Sequence, residues 1–216
     1  MKTRIILAAA CSLLFALPST AQIIVGAPLC VSGTLASYIA LGSEGCMFGS
    51  VLYHDFTFAA TTANGIDPAN ILVTPAVLPT ASYSQGLNFS PLESSAANGW
   101  SVAAGKVKQF TIGFAAVPYP PPLTILPASA ELTLALGTAH VSGIIGSVNV
   151  QEVTQAATLD VYDRCADACT EKLRDTVTIT PAQILESSVT VTLSGGSNGA
   201  SLSSFSTDYL VGPQPE

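Results

Sequence analysis

Cys165 and Cys169 sit in the stretch YDRCADACTEKLRD, where half of the residues are charged: Asp163, Arg164, Asp167, Glu171, Lys172, Arg174 and Asp175. Two thiols at such spacing have three chemical uses. A redox pair is normally separated by two residues at a helix N-terminus, whereas here the spacer is three residues and the flanks read as strands. A structural zinc needs four ligands, so the pair would have to recruit His54 and His140, or the distant Cys30 and Cys46. The remaining use is a disulfide that closes a polar loop. One helical turn would bring the two Cα atoms to about 6 Å, within bonding range.

Acid–base chemistry has few carriers. After the opening segment the histidines are His54 and His140. His54 lies in Leu52-Tyr53-His54-Asp55-Phe56, and strict alternation places Tyr53, Asp55 and Thr57 on one face and His54, Phe56 and Phe58 on the other. His140 has no carboxylate or nucleophile beside it in sequence, and no Gly-x-Ser-x-Gly elbow occurs. Glycoside hydrolysis needs two carboxylates across a cleft. Glu131, Glu152, Asp160 and Asp163 fall on or near strands, where a solvated strand face accounts for them more simply. Structural calcium is the one cofactor to weigh, with Asp160, Asp163, Asp167 and Glu171 as oxygen donors. Their spacing departs from an EF-hand loop, and Arg164, Lys172 and Arg174 offset their charge. No catalytic, cofactor-binding or metal-ligating residue is assigned. For a ligand, the candidates are aromatic side chains beside turn signals, namely Tyr83, Trp100 and Tyr119, with Tyr162 a further aromatic of that kind. Trp100 also suits a core position, the usual place of a large aromatic.

The elements that would carry these residues are strands. Short runs rich in Val, Ile, Thr, Phe and Tyr recur between Gly, Pro, Asn and Ser clusters at intervals of about ten residues. They are VLYHDFTFAAT, ANILVTPAVL, QGLNFSPL, WSVAAGKVKQFTIGFAAV, AELTLALGTA, GSVNVQEVT, TLDVYDR, TVTITPAQ, SSVTVTLSGG and LSSFSTDYLV. This predicts an all-β fold, an antiparallel β-sandwich of Ig-like or jelly-roll-like kind with about ten strands and little helix. Alternation assigns Phe110, Ile112 and Phe114, Leu132, Leu134 and Leu136, Val177 and Ile179, and Val189, Val191 and Leu193 to the core, with Thr176, Thr178, Thr190 and Thr192 facing water. Pro118-Tyr119-Pro120-Pro121-Pro122 reads as a stiff connection, and Ser194–Ala200 as a glycine-rich hairpin turn.

The chain begins MKTRIILAAACSLLFALPSTAQ, with Lys2 and Arg4 before an apolar run and small residues at Ser19 and Ala21. This predicts a signal peptide over residues 1–21, cleaved after Ala21, and a single secreted domain over 22–216. No later run reaches the ~18 apolar residues of a membrane span. The 7 basic against 14 acidic residues give a net charge of −7, and loss of Lys2 and Arg4 deepens it. Such a balance excludes nucleic acid and anionic membrane surfaces as partners, because both require clustered cations. Extracellular polysaccharide or a surface protein remains. Of the 5 cysteines, Cys11 leaves with the signal. Cys30, Cys46, Cys165 and Cys169 allow three disulfide pairings in an oxidising compartment, of which short-loop closure favours Cys30–Cys46 and Cys165–Cys169.

The segment CVSGTLASYIALGSEGCMFGSVLYHDFTF, followed by GLNFS, GWSVAAGK, QFTIGFAAV and SLSSFSTDYLV, resembles a group of exported bacterial β-sandwich proteins, many of which carry a C-terminal PEP-type sorting tail. The resemblance implies a secreted domain of unassigned biochemical activity. After Tyr209 this sequence continues only through Val211-Gly212-Pro213-Gln214-Pro215-Glu216, without the apolar helix and basic cluster of such a tail, so release is expected. The sequence therefore reads as a secreted, non-catalytic β-sandwich protein with a structural or surface-interaction role. The alternative is a carbohydrate-binding module, and a hydrolase comes third.

Overall fold

The computed structural model of the chain describes residues 26–60, 65–76, 84–92, 100–119, 123–125, 131–136, 139–141, 145–166, 168–180 and 182–213. In chain order the elements are β1 (Gly33–Thr34), α1 (Leu35–Ala40), β2 (Cys46–Phe48), β3 (Val51–Ala60), a single 3-10 turn (Pro68–Asn70), β4 (Ile71–Ala76), β5 (Ser84–Pro91), β6 (Ser101–Val102), β7 (Val107–Pro118), β8 (Leu123–Ile125), β9 (Glu131–Leu136), β10 (Ala139–Val141), β11 (Gly146–Thr154), β12 (Thr158–Cys165), β13 (Cys169–Lys172), β14 (Arg174–Thr178), β15 (Leu185–Ser194), β16 (Ala200–Leu202) and β17 (Phe205–Pro213).

The strands form an antiparallel sandwich. One seven-stranded sheet runs β13-β12-β11-β15-β7-β3-β2, and the other runs β1-β4-β5-β17-β9-β14 with β8 also on β17. A small sheet, β10-β16-β6, stands beside them. The all-β expectation holds. The long run beginning at Trp100 is not one strand, however. Gly105 turns with φ +67° and the Lys106 N–H closes on the Ala103 carbonyl, dividing it into β6 and β7. The helix α1 is too short to show a helical period in sequence. It starts where the Thr34 hydroxyl accepts the Ser37 N–H at 3.2 Å, and it buries Leu35 and Tyr38 on one side.

Alternation fills the space between the sheets. Val189, Val191 and Leu193 of β15 and Phe110, Ile112 and Phe114 of β7 are all buried, as the sequence predicts. Ile179 is buried, and Val177 is half-buried against the same core. The side chains of Leu132, Leu134 and Leu136 lie outside the described residues. Aromatic rings bridge the sheets: Phe89 of β5 meets Phe114 of β7 at 6.1 Å, and Tyr53 of β3 meets Tyr209 of β17 at 6.2 Å. Such pairs contribute about 0.5–1.5 kcal/mol each beyond their buried area.

Both disulfides are local, Cys30 with Cys46 and Cys165 with Cys169. The second closes differently from the expected helical turn. Cys165 and Cys169 face each other across the β12–β13 hairpin, with Cα atoms 4.1 Å apart. A spacing of four suits a tight hairpin as well as a helix, and close cross-strand pairs have Cα atoms near ~4.5 Å. The two bonds lie at opposite edges of one sheet, because Cys46 is on β2 and Cys169 on β13. Among the described residues no helix is long and apolar enough to cross a membrane.

Candidate functional site

The site begins with an irregularity in β3. Its pairing with β7 runs from Val51↔Pro118 to His54↔Ala115 and resumes at Thr57↔Gly113, so Asp55 and Phe56 together stand opposite one residue. This is a β-bulge, which bends a strand and re-aims its side chains. Asp55 takes φ +55°, the one positive φ at a non-glycine among the described residues. Aspartate tolerates this left-handed region better than most side chains. The turn after α1 anchors the bulge, since the Asp55 N–H donates to the Gly42 carbonyl at 3.0 Å. A side chain at Gly45 would collide with the Tyr53 carbonyl.

The bulge corrects the face assignment read from alternation. Tyr53 and Phe56 are both buried, while Asp55 and Thr57 are exposed. His54, on the outward side with Asp55, places its Nδ1 2.8 Å from Asp55 Oδ2. That contact orients the imidazole and favours a proton on Nδ1.

Beside this pair lies a cleft of about 500 Å³. Its floor is Gly113 and Ala115 on β7, where side chains are smallest. Thr57, Asp55 and His54 form one wall, and Ser188 and Glu186 on β15 form the other. Register sets these neighbours, since Gly113 pairs with both Thr57 and Ser188, and Ala115 with both His54 and Glu186. Gly113 leaves room for the Thr57 hydroxyl, because a Cβ there would come 2.5 Å from Thr57 Oγ1 and force that side chain to shift. Gln155 ties down the near end: its amide N–H donates to the Ile184 carbonyl at 2.9 Å, and its Oε1 accepts the Glu186 N–H at 3.0 Å. Val153 and Ile184 add exposed aliphatic surface at the same end. The cleft thus offers carboxylates, an imidazole, an amide and hydroxyls around a low floor, within the ~300–1,000 Å³ of ordinary ligand sites.

The aromatic candidates lie elsewhere. Trp100 is only 1% exposed, with its ring 5.2 Å from that of Phe110 and 5.6 Å from that of Phe205. It offers no open face to a ligand, because the β6 end folds it inward as part of the core. Tyr119 is half-buried where β7 leaves the sheet, its N–H bonded to the Ser50 carbonyl at 2.7 Å. Tyr83, Pro120–Pro122 and Asp167 lie outside the described residues, as does the side chain of His140. Tyr162 is half-buried, with the Arg164 guanidinium 4.0 Å above its ring.

Of the acidic residues weighed for calcium, Asp160 is engaged elsewhere, accepting from Asn149 and from Arg164. Among the described residues no three His, Cys, Asp or Glu side chains converge to hold a metal ion. Glu152, read from sequence as a solvated strand carboxylate, is instead fully buried. It lies in phase with Val148 and Val150 on β11, which alternation places inside. The cleft itself left one mark in the sequence, a glycine inside the otherwise strand-like QFTIGFAAV, where close approach of a neighbour is a standard cause.

No protein-family model matches the chain, and no curated protein matches it. Among solved structures, the carbohydrate-binding module TmCBM61, determined in complex with β-1,4-galactotriose, is similar over 74% of this chain and 88% of its own, at 10% identity and TM-score 0.30. The enzymatically active domain of tailspike protein 4 from bacteriophage CBA120 is similar over 74% of this chain and 19% of its own, at 9% identity and TM-score 0.28. At these scores the likeness is one of outline.

Proposed function

We propose that the protein is an exported, non-catalytic carbohydrate-binding module whose ligand lies across the cleft between β3 and β15. The observation that carries this reading is the cleft's lining: planar polar groups from Asp55, Glu186 and Gln155 and hydroxyls from Thr57 and Ser188 surround a floor of Gly113 and Ala115. A sugar ring presents hydroxyls around an aliphatic body, and such a ligand matches acceptors and donors at the walls with Val153 and Ile184 at the end. The net charge of −7 disfavours polyanionic glycans and leaves neutral polysaccharide as the natural class. Two disulfides suit an oxidising, extracytoplasmic setting.

Affinity electrophoresis and calorimetry against a panel of neutral polysaccharides test the reading. Retardation by at least one, weakened about tenfold or more by Glu186→Gln through loss of a charge-assisted hydrogen bond, is the expected result. Absence of binding across the panel, or binding indifferent to Glu186→Gln and Ser188→Trp, would overturn it. The domain would then be a scaffold or surface-interaction protein.

A further inference from the structure

Behind the cleft wall lies a second polar group that ligand binding does not explain. Glu152 projects from β11 into the space between the sheets with 0% of its surface exposed. Its Oε2 accepts from the Thr207 hydroxyl at 2.8 Å and its Oε1 from the Tyr209 hydroxyl at 3.1 Å. The Tyr209 hydroxyl is also 2.8 Å from Ser187 Oγ on β15. Glu152 and Ser187 belong to one sheet, Thr207 and Tyr209 to the other. One carboxyl therefore joins the two halves of the sandwich.

The groups that face it are neutral. From β17 come Thr207 and Tyr209, and from β15 comes Ser187, with Glu186 turned to the outer side. From β3 comes Tyr53, whose hydroxyl donates to the Gln85 carbonyl at 2.9 Å. Its neighbour across β12 is Leu159. The carboxyl that feels its charge is Asp208, buried on the far face of β17 with neither carboxylate oxygen hydrogen-bonded among the described residues. Arg174 supplies the positive charge on that side. Burial holds the Tyr53 and Tyr209 phenols well above their ordinary range, so both stay proton donors.

An isolated anion in such a place is costly, and in practice the group keeps its proton instead. The network has room for that proton. A neutral Glu152 can donate to Thr207 or Tyr209, and the displaced Tyr209 proton can turn to Ser187, since that bond runs in either direction. Burial raises the Glu152 carboxyl above its usual range, and the three hydroxyls oppose this only in part. Burial likewise raises Asp208 to about 7, against the lowering influence of Arg174 and with a further rise from Glu152.

We propose that Glu152 is a proton-operated latch between the two sheets, closed when the carboxyl is neutral and loosened when it ionises. Because Ser187 also lines the cleft, the latch reaches the outer face of its own sheet. The latch stands on the interior geometry and does not rest on the carbohydrate reading. Its direction is the reverse of a salt-bridged carboxylate. An acid raised in the folded state contributes stability that is complete below its unfolded value, near 4.5 for Glu152, and is lost as pH rises toward the folded value. Over that window one such proton changes the folding constant by about tenfold per pH unit.

Urea unfolding of the full chain between pH 4 and pH 8 tests the latch, read through the single tryptophan, Trp100, which packs on Phe205 of the same β17. The wild type should lose stability as pH rises. Glu152→Gln should remove about one proton's worth of that slope, and Asp208→Asn a separate part. Equal slopes in wild type and Glu152→Gln, or a wild type that gains stability with pH, would overturn the proposal. Should Glu152→Gln fail to fold, the infrared carbonyl band of a protonated carboxyl in folded Asp208→Asn decides. Its persistence in the folded protein above the ordinary glutamate value of 4.5 and its loss on unfolding support the latch, and its absence from the folded protein refutes it.

Discussion

Tyr53 and Phe56 point into the same core although they stand three positions apart, because Asp55 between them adopts φ +55°. In a regular strand, residues at that spacing face opposite ways. The bulge thus places an aromatic pair inside and sets His54 and Asp55 side by side outside. One backbone irregularity positions both the core and the rim of the cleft.

Asp55 should therefore respond to substitution by shape more than by charge. Asp55→Gly, which is at ease at positive φ, should fold with stability close to the parent and lose the His54 contact. Asp55→Val should lose about 1–3 kcal/mol, because a β-branched residue is strained there. Denaturant unfolding of the two variants checks this, and equal losses would show that the left-handed conformation is not retained.

Gly113 carries a more specific expectation. Its absent Cβ leaves room for Thr57 Oγ1, which would otherwise be 2.5 Å away. Gly113→Ala should destabilise by about 1–3 kcal/mol through overpacking and weaken any ligand held over the floor. Adding Thr57→Ala should restore much of the stability, with a coupling of about 0.5–3 kcal/mol in a double-mutant cycle. Simple additivity of the two changes would contradict the contact.

The disulfides should differ in what they hold. Cys30–Cys46 spans a sequence separation of 16 and Cys165–Cys169 one of 4. Constraint of the unfolded chain grows with the loop closed, at about 3 kcal/mol for fifteen residues and less for shorter loops. Paired Cys→Ala replacement at 30 and 46 should cost more in unfolding free energy than replacement at 165 and 169. The reverse order would show that the hairpin bond stabilises the native state directly.

Much of the sandwich was legible because half-buried strands alternate. Phe110, Ile112 and Phe114 mark β7, and Val189, Val191 and Leu193 mark β15, by period alone. Three features broke that rule or fell beneath it. Asp55 shifts the phase of β3 by one residue, and nothing in LYHDFTF distinguishes a bulge from an unbroken strand. Glu152 sits in phase with valines, yet a carboxyl in a strand reads as solvated until its partners Thr207 and Tyr209, more than fifty residues onward, are known. In α1 the burial of Leu35 and Tyr38 is a single i, i+3 step, too short to register as a helical period. The cleft depends on all three strands of one register, β3, β7 and β15, so its only local trace was Gly113.

The two cystines are also placed where a second molecule would begin to pair. The outermost strands of the long sheet, β2 and β13, have three and four residues. The first is overlaid by the backbone of Pro28 and Cys30, bonded to Met47, and the second carries Glu171 and Lys172. Brevity, cover and charge are the means by which open edges avoid templating addition of further strands. Each cystine ties its short edge to the neighbouring chain, Cys46 to Cys30 and Cys169 to Cys165, so the cross-links guard the protein against fibril-like growth onto its own copies as well as against unfolding.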